Sequence, residues 1–179
     1  MLFLVSGCNE ENDRNTDTPI AFQQDTSLME TFTVINMQEK THKVTISPQK
    51  LSFHDVDQPI VIIHMFKDFD TATAYQIKTL NTLQKEKQKN LFVLSLQIED
   101  NISTKALKAF IKKHKLTHFI SNDIDNHHFQ TILYESLSLE KKIHLPITIL
   151  YTNDTYISHY TGAIPIEMLR YDIQQAIQD

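Results

Sequence analysis

Cysteine occurs once in this 179-residue sequence, at Cys8. A single thiol excludes an intrachain disulfide and any two-thiol redox centre. Glycine occurs twice, at Gly7 and Gly162. That excludes a phosphate-cradling P-loop and a dinucleotide-binding turn, each of which gathers several glycines in one loop. It also leaves no Gly-x-Ser-x-Gly elbow for serine hydrolase chemistry. Basic residues are in deficit, 17 Lys+Arg against 22 Asp+Glu for a net charge of −5, with no long basic run. Nucleic acid is therefore not an expected partner. No stretch reaches the roughly 20 apolar residues of a complete membrane span. What is present is a globular composition, 41% hydrophobic and 22% charged, over a length close to one ordinary domain.

The chain starts with the apolar run Met1-Leu2-Phe3-Leu4-Val5 and then Ser6-Gly7-Cys8. Leu4-Val5-Ser6-Gly7-Cys8 resembles a bacterial lipobox, whose cysteine receives the lipid and becomes the mature N-terminus. The resemblance makes Cys8 the lipidation site and residues 1–8 a lipoprotein signal remnant. A full secretory signal has a basic n-region and a longer apolar core, whereas only seven residues precede Cys8 and none is basic. Residues 9–28 are polar and acidic without a periodic apolar face. Such a composition cannot bury enough surface to offset its ordering entropy, so the segment reads as a flexible tether. Lipid plus tether implies a cell-envelope protein on the extracytoplasmic, or periplasmic, side.

From residue 29 to 179 strand and helix signals alternate. Phe32-Thr33-Val34-Ile35 and Lys43-Val44-Thr45-Ile46 predict a hairpin. The mostly apolar run Ile60-Val61-Ile62-Ile63-His64-Met65-Phe66 predicts a central strand covered on both faces. Ala74, Ile77, Leu80 and Leu83 form a helical stripe, for which Asp70 is the natural N-cap. Next come the strand Leu91-Phe92-Val93-Leu94-Ser95-Leu96, a helix marked by Leu107, Phe110 and Ile111, and the short strand Thr117-His118-Phe119-Ile120. A third helix is marked by Phe129, Ile132 and Leu133. Ile147-Thr148-Ile149-Leu150-Tyr151 and Tyr156-Ile157-Ser158-His159-Tyr160 flank the turn at Asn153-Asp154, a second hairpin. Pro165 opens a last helix, with Leu169, Ile173, Ala176 and Ile177 as its inner face. The expected class is α/β: a mixed central sheet, helices on both faces and an N-terminal β-hairpin. The β-α-β then β-β-α order is that of a thioredoxin fold.

These pieces, with Leu145-Pro146-Ile147-Thr148 opening a strand and Tyr160-Thr161-Gly162 before the last helix, resemble the membrane-tethered thioredoxin-like proteins of the TlpA and ResA kind. The resemblance implies a Cys-x-x-Cys at the start of the first long helix. Counting along the chain puts that motif on Asp70-Thr71-Ala72-Thr73, with Phe69 in the usual tryptophan position. Asp70 and Thr73 thus replace both cysteines. Thiol–disulfide exchange requires a thiolate attacking a sulfur, which neither residue supplies. The resemblance further implies a cis Leu145–Pro146 bond facing the helix start. Phe69, Leu145, Pro146 and Ile147 are then the expected groove, where an extended polypeptide or envelope protein would pair with exposed backbone.

Histidines supply the remaining candidates. His64 falls six residues before Asp70, where the family carries a polar residue beneath its active site. No nucleophile for it to activate is evident, so the reading is a buried strand histidine satisfied by one hydrogen bond. His114 and His118 are four apart and His127 and His128 adjacent. Residues 115–117 look like a helix exit, which breaks the i, i+4 geometry, and adjacent helical residues diverge. All four are read as surface histidines. The run Gln84-Lys85-Glu86-Lys87-Gln88-Lys89 reads as a solvated helix end whose cations suit the helix dipole. No catalytic residue, metal ligand or cofactor is expected. The alternative reading is a thiol–disulfide family member or a His-dependent metal carrier, acting in envelope redox chemistry or cytochrome maturation.

Overall fold

The computed structural model of the protein describes residues 28–98, 102–140 and 143–178. Cys8 and all of the expected tether except Leu28 lie outside the described residues.

Three short strands come first: β1 (Glu30–Ile35), β2 (Thr41–Ser47) and β3 (Lys50–Phe53). They alternate strictly, with Phe32 and Val34, His42, Val44 and Ile46, and Leu51 and Phe53 turned inward. This is the pattern of a sheet with one covered face. The expected hairpin is therefore a three-stranded meander. β3 escaped the sequence reading because four residues carry only two apolar side chains. Its signal is the turn before it, where Pro48 pre-sets φ and Gln49 takes a left-handed φ of 60°.

β4 (Ile60–Phe66) is buried along its entire length. It is joined by the crossover helix α1 (Thr71–Glu86) to the parallel strand β5 (Leu91–Gln97). Helix α2 (Thr104–His114) leads to β6 (Phe119–Ser121), parallel to β5. Helix α3 (Asn126–Ser136) precedes the antiparallel pair β7 (Ile147–Thr152) and β8 (Thr155–Thr161). Asn153 and Asp154, at φ 46° and 66°, turn that hairpin in the doubly left-handed way that matches strand twist. α4 (Ile166–Gln178) closes the described chain. The eight strands form one mixed sheet in the order β1-β2-β3-β8-β7-β4-β5-β6.

Side-chain alternation along β4 assigns the two faces. Ile60 and Ile62 pack with Leu80 and Leu83 of α1 and Leu169 and Ile173 of α4. Phe66 packs with Ile77 of α1 and Leu107 of α2. Val61, Ile63 and Met65 point the other way, against Phe129 and Leu133 of α3 and the inward residues of β1, β2 and β3. The meander curls over this second face until Met37 N–H donates to Ile120 O of β6 at 3.3 Å. On α4, Ala176 packs inward while Ile177, expected on the inner face, is 43% exposed. At 3.6 residues per turn the stripe from Leu169 and Ile173 falls on position 176.

Candidate functional site

The chain leaving β4 turns through Asp68 and Phe69 into α1. Asp70 is the N-cap residue, and its Oδ1 accepts from Thr73 N–H at 2.6 Å. Such a cap contributes about 1 kcal/mol and also places a negative charge at the positive end of the helix dipole. Asp70 is exposed and Thr73 is buried, so the first position faces solvent and the fourth is shielded. Phe69 stacks on Phe110 of α2 with ring centroids 4.0 Å apart, and on Phe66 at 5.9 Å.

The Leu145–Pro146 peptide bond is cis. Pro146 O accepts from Gly162 N–H at 2.7 Å, which ties the loop to the end of β8. Ile147 is in register with Met65 near the end of β4, so the loop begins at the edge from which the chain departs towards Asp70. The four expected groove residues do not share one side-chain surface. Phe69 belongs to the cluster on the α1 face, whereas Leu145 and the fully buried Ile147 pack on the opposite face. Alternation along the strands separates them.

Below this end of the sheet lies a row of buried polar side chains. Thr148, His64 and Ser95 are consecutive partners across β7, β4 and β5, so they stand side by side on the face covered by α1. His64 Nδ1 is 3.4 Å from Ser95 Oγ, and Ser95 Oγ is 3.0 Å from His118 Nε2. His118 Nδ1 lies 3.4 Å from Asn81 Oδ1, which also accepts from Thr117 N–H at 2.7 Å. α1 thus contributes polar residues to a buried face, and each serves another element. Asn81 holds the entry to β6, and Gln76 Oε1 accepts from Ile164 N–H at 2.7 Å before α4.

Burial decides the electrostatics of the row. Desolvation, aided by the neighbouring His118, pushes His64 down to about 3, and desolvation with the Lys85 charge does the same to His118. Both rings are neutral at physiological pH. A general base works best with a pKa near the working pH, so His64 is too weak a base for that task. His64 Nε2, Gln76 Nε2 and Thr148 Oγ1 have no hydrogen-bond partner. The row is a polar strut between sheet and helices.

His118 is thus no surface histidine. Residues 115–117 do leave the helix, since Lys115 ends α2 at a left-handed φ of 51°. The next strand, however, carries the ring inward beneath Asn81. His114 stays on α2 against Phe110, with ring centroids 4.5 Å apart. His128 Nε2 is 2.6 Å from Glu30 Oε1, and His127 is exposed. Among the described residues no three His, Cys, Asp or Glu side chains gather in a metal-binding arrangement. None of their helices is long and apolar enough to cross a membrane.

No family model matches the chain, and no curated protein matches it by sequence. Solved structures do match its fold. StoA from Bacillus subtilis superposes with a TM-score of 0.58 at 12% identity, covering 79% of this chain and 95% of StoA. A thioredoxin-family thiol:disulfide interchange protein from Chlorobium tepidum also gives 0.58, at 11% identity, covering 82% and 93%. A secreted disulfide oxidoreductase of Mycobacterium tuberculosis gives 0.56 at 11% identity, covering 80% and 95%. The chain shares the thioredoxin fold of these structures, with a single cysteine in its sequence and a helix cap, Asp70, where a thiol was expected.

Proposed function

We propose that the protein is a redox-silent thioredoxin-fold module of the cell envelope that holds an extended polypeptide at the Leu145–Pro146 loop. The observation that carries this reading is Asp70 acting as N-cap in the expected position of the attacking thiol, in a chain whose one cysteine is Cys8. The secreted neighbour from Mycobacterium tuberculosis supports an extracytoplasmic location. The lipobox-like Leu4-Val5-Ser6-Gly7-Cys8 supports a lipid anchor at Cys8. Strand-like pairing of a peptide with free backbone needs no thiol, so a groove of this kind outlasts loss of the cysteines.

Insulin reduction by the purified protein should proceed at the uncatalysed rate. An unfolded model peptide, such as reduced and alkylated insulin B chain, should shift the amide resonances of Leu145 and Ile147. Reduction above the blank, or peptide-induced shifts confined to another surface, overturns the reading. For the anchor, the native gene and its Cys8→Ala form are fractionated. The native product is expected with membranes and the variant in the soluble fraction; equal distribution rejects lipidation.

A further inference from the structure

At the end of the sheet away from the Leu145–Pro146 loop, the curled meander leaves a cavity of about 330 Å³ between β2, the start of β5 and β6, and the last turn of α1. Its walls include Lys40, His42, Lys85, Phe92, His118 and Phe119. The size is that of a small-molecule site. Two cations border it, one from β2's approach and one from α1, and no acidic side chain lines it. Lys85 Nζ donates to Lys115 O at 3.3 Å, which holds its charge beside the rim without neutralising it.

His42 is the second observation. It is 5% exposed, and its Nδ1 is 2.9 Å from Asp55 Oδ2. An ionised carboxylate only accepts, so Nδ1 carries the hydrogen, which leaves Nε2 as the ring's other polar atom. That Nε2 is buried and has no hydrogen-bond partner. A buried polar atom left unmatched is costly, and here it sits on a side chain that lines a cavity. The rings of Phe119 and Phe92 stand 4.9 and 5.1 Å from His42, tilted and edge-on. They give the wall the apolar aromatic surface on which a flat ring packs.

We propose that this cavity binds a small planar carboxylate that also carries a hydroxyl, as a hydroxylated aromatic acid does. The carboxylate meets Lys40 and Lys85, the ring lies against Phe92 and Phe119, and the hydroxyl pairs with His42 Nε2. The site is separate from the loop proposed for polypeptide, so each proposal stands or falls by itself.

The test uses the full chain and three probes, 4-hydroxybenzoate, benzoate and 4-hydroxybenzamide, followed by amide chemical shifts and calorimetry. 4-Hydroxybenzoate should bind saturably and shift His42, Phe92 and Phe119. Benzoate, lacking the hydroxyl, and the uncharged amide should each bind about tenfold more weakly, the loss of one good hydrogen bond or charge contact. The Lys40→Ala/Lys85→Ala double variant changes only exposed side chains, so it should keep the fold, which its amide spectrum checks. It should weaken 4-hydroxybenzoate about tenfold while leaving the amide's affinity unchanged. Absence of saturable binding overturns the proposal. So does equal affinity for all three probes, unaltered binding by the double variant, or displacement by inorganic phosphate alone at matching affinity.

Discussion

Introducing two thiols by Asp70→Cys and Thr73→Cys should give the protein disulfide reductase activity in the insulin assay. The frame for the pair is already present. Positions three apart at a helix start lie on one side, as a disulfide between them requires. The exposed Asp70 position would present the attacking sulfur, and the buried Thr73 position would shelter the resolving one. A helix N-terminus lowers a thiol from about 8.5 towards about 7, which at neutral pH raises the thiolate fraction roughly fifteenfold. The control is the pair Tyr75→Cys and Lys78→Cys, equally spaced and exposed on the same helix, but beyond the first turn where the dipole acts. The 70/73 pair should exceed this control by about tenfold. Equal rates for the two pairs would show that residues 70–73 are not the counterpart of a thiol centre, however well the fold superposes.

Acidification from about pH 7.5 to about pH 5.5 should remove roughly 2–3 kcal/mol of stability through His64 and His118. Both are lowered from 6.5 to about 3, chiefly by burial. The unfolded chain takes up a proton on each near 6.5, and the folded chain does so only near 3. Between those values the unfolded state binds more protons, so stability present above the unfolded pKa is lost as pH falls through it. Each ring contributes up to about 1.4 kcal/mol per pH unit. The chosen window lies above the ordinary carboxylate range, so it isolates the imidazoles. Urea denaturation followed by circular dichroism at the two pH values checks this. His64→Met should roughly halve the dependence, since one of the two fully buried rings is then gone. Equal midpoints at the two pH values in the parent protein would show that the rings are solvated.

The buried row also marks where sequence reading stops. β4 was legible because seven nearly continuous apolar residues, of strand length and rich in Ile and Val, suit a strand covered on both faces. α1 was legible from its stripe and Asp70, and the β7–β8 hairpin from Asn153-Asp154, whose residue types tolerate φ > 0. His64 was correctly placed on a buried strand for the same reason. His118 was not, because Thr117-His118-Phe119-Ile120 gives no parity for which residue turns inward. Only the pairing Ser95↔Ile120 with α1 packed above it puts His118 beside Ser95 and Asn81.

By itself the sequence determined the α/β class, the order of elements, the helix cap at Asp70 and the lack of any two-thiol chemistry. Each of these depends on local periodicity, capping or the mere presence of an atom. Tertiary structure alone decided the third strand of the meander, its curl onto β6 at Met37, and the placement of Phe69 and Leu145 on opposite faces. It also decided that His64 and His118 are buried and neutral, and that His118 borders the cavity beneath the meander. Those outcomes depend on contacts between residues far apart in the chain, and burial and desolvation are properties of such contacts rather than of any segment.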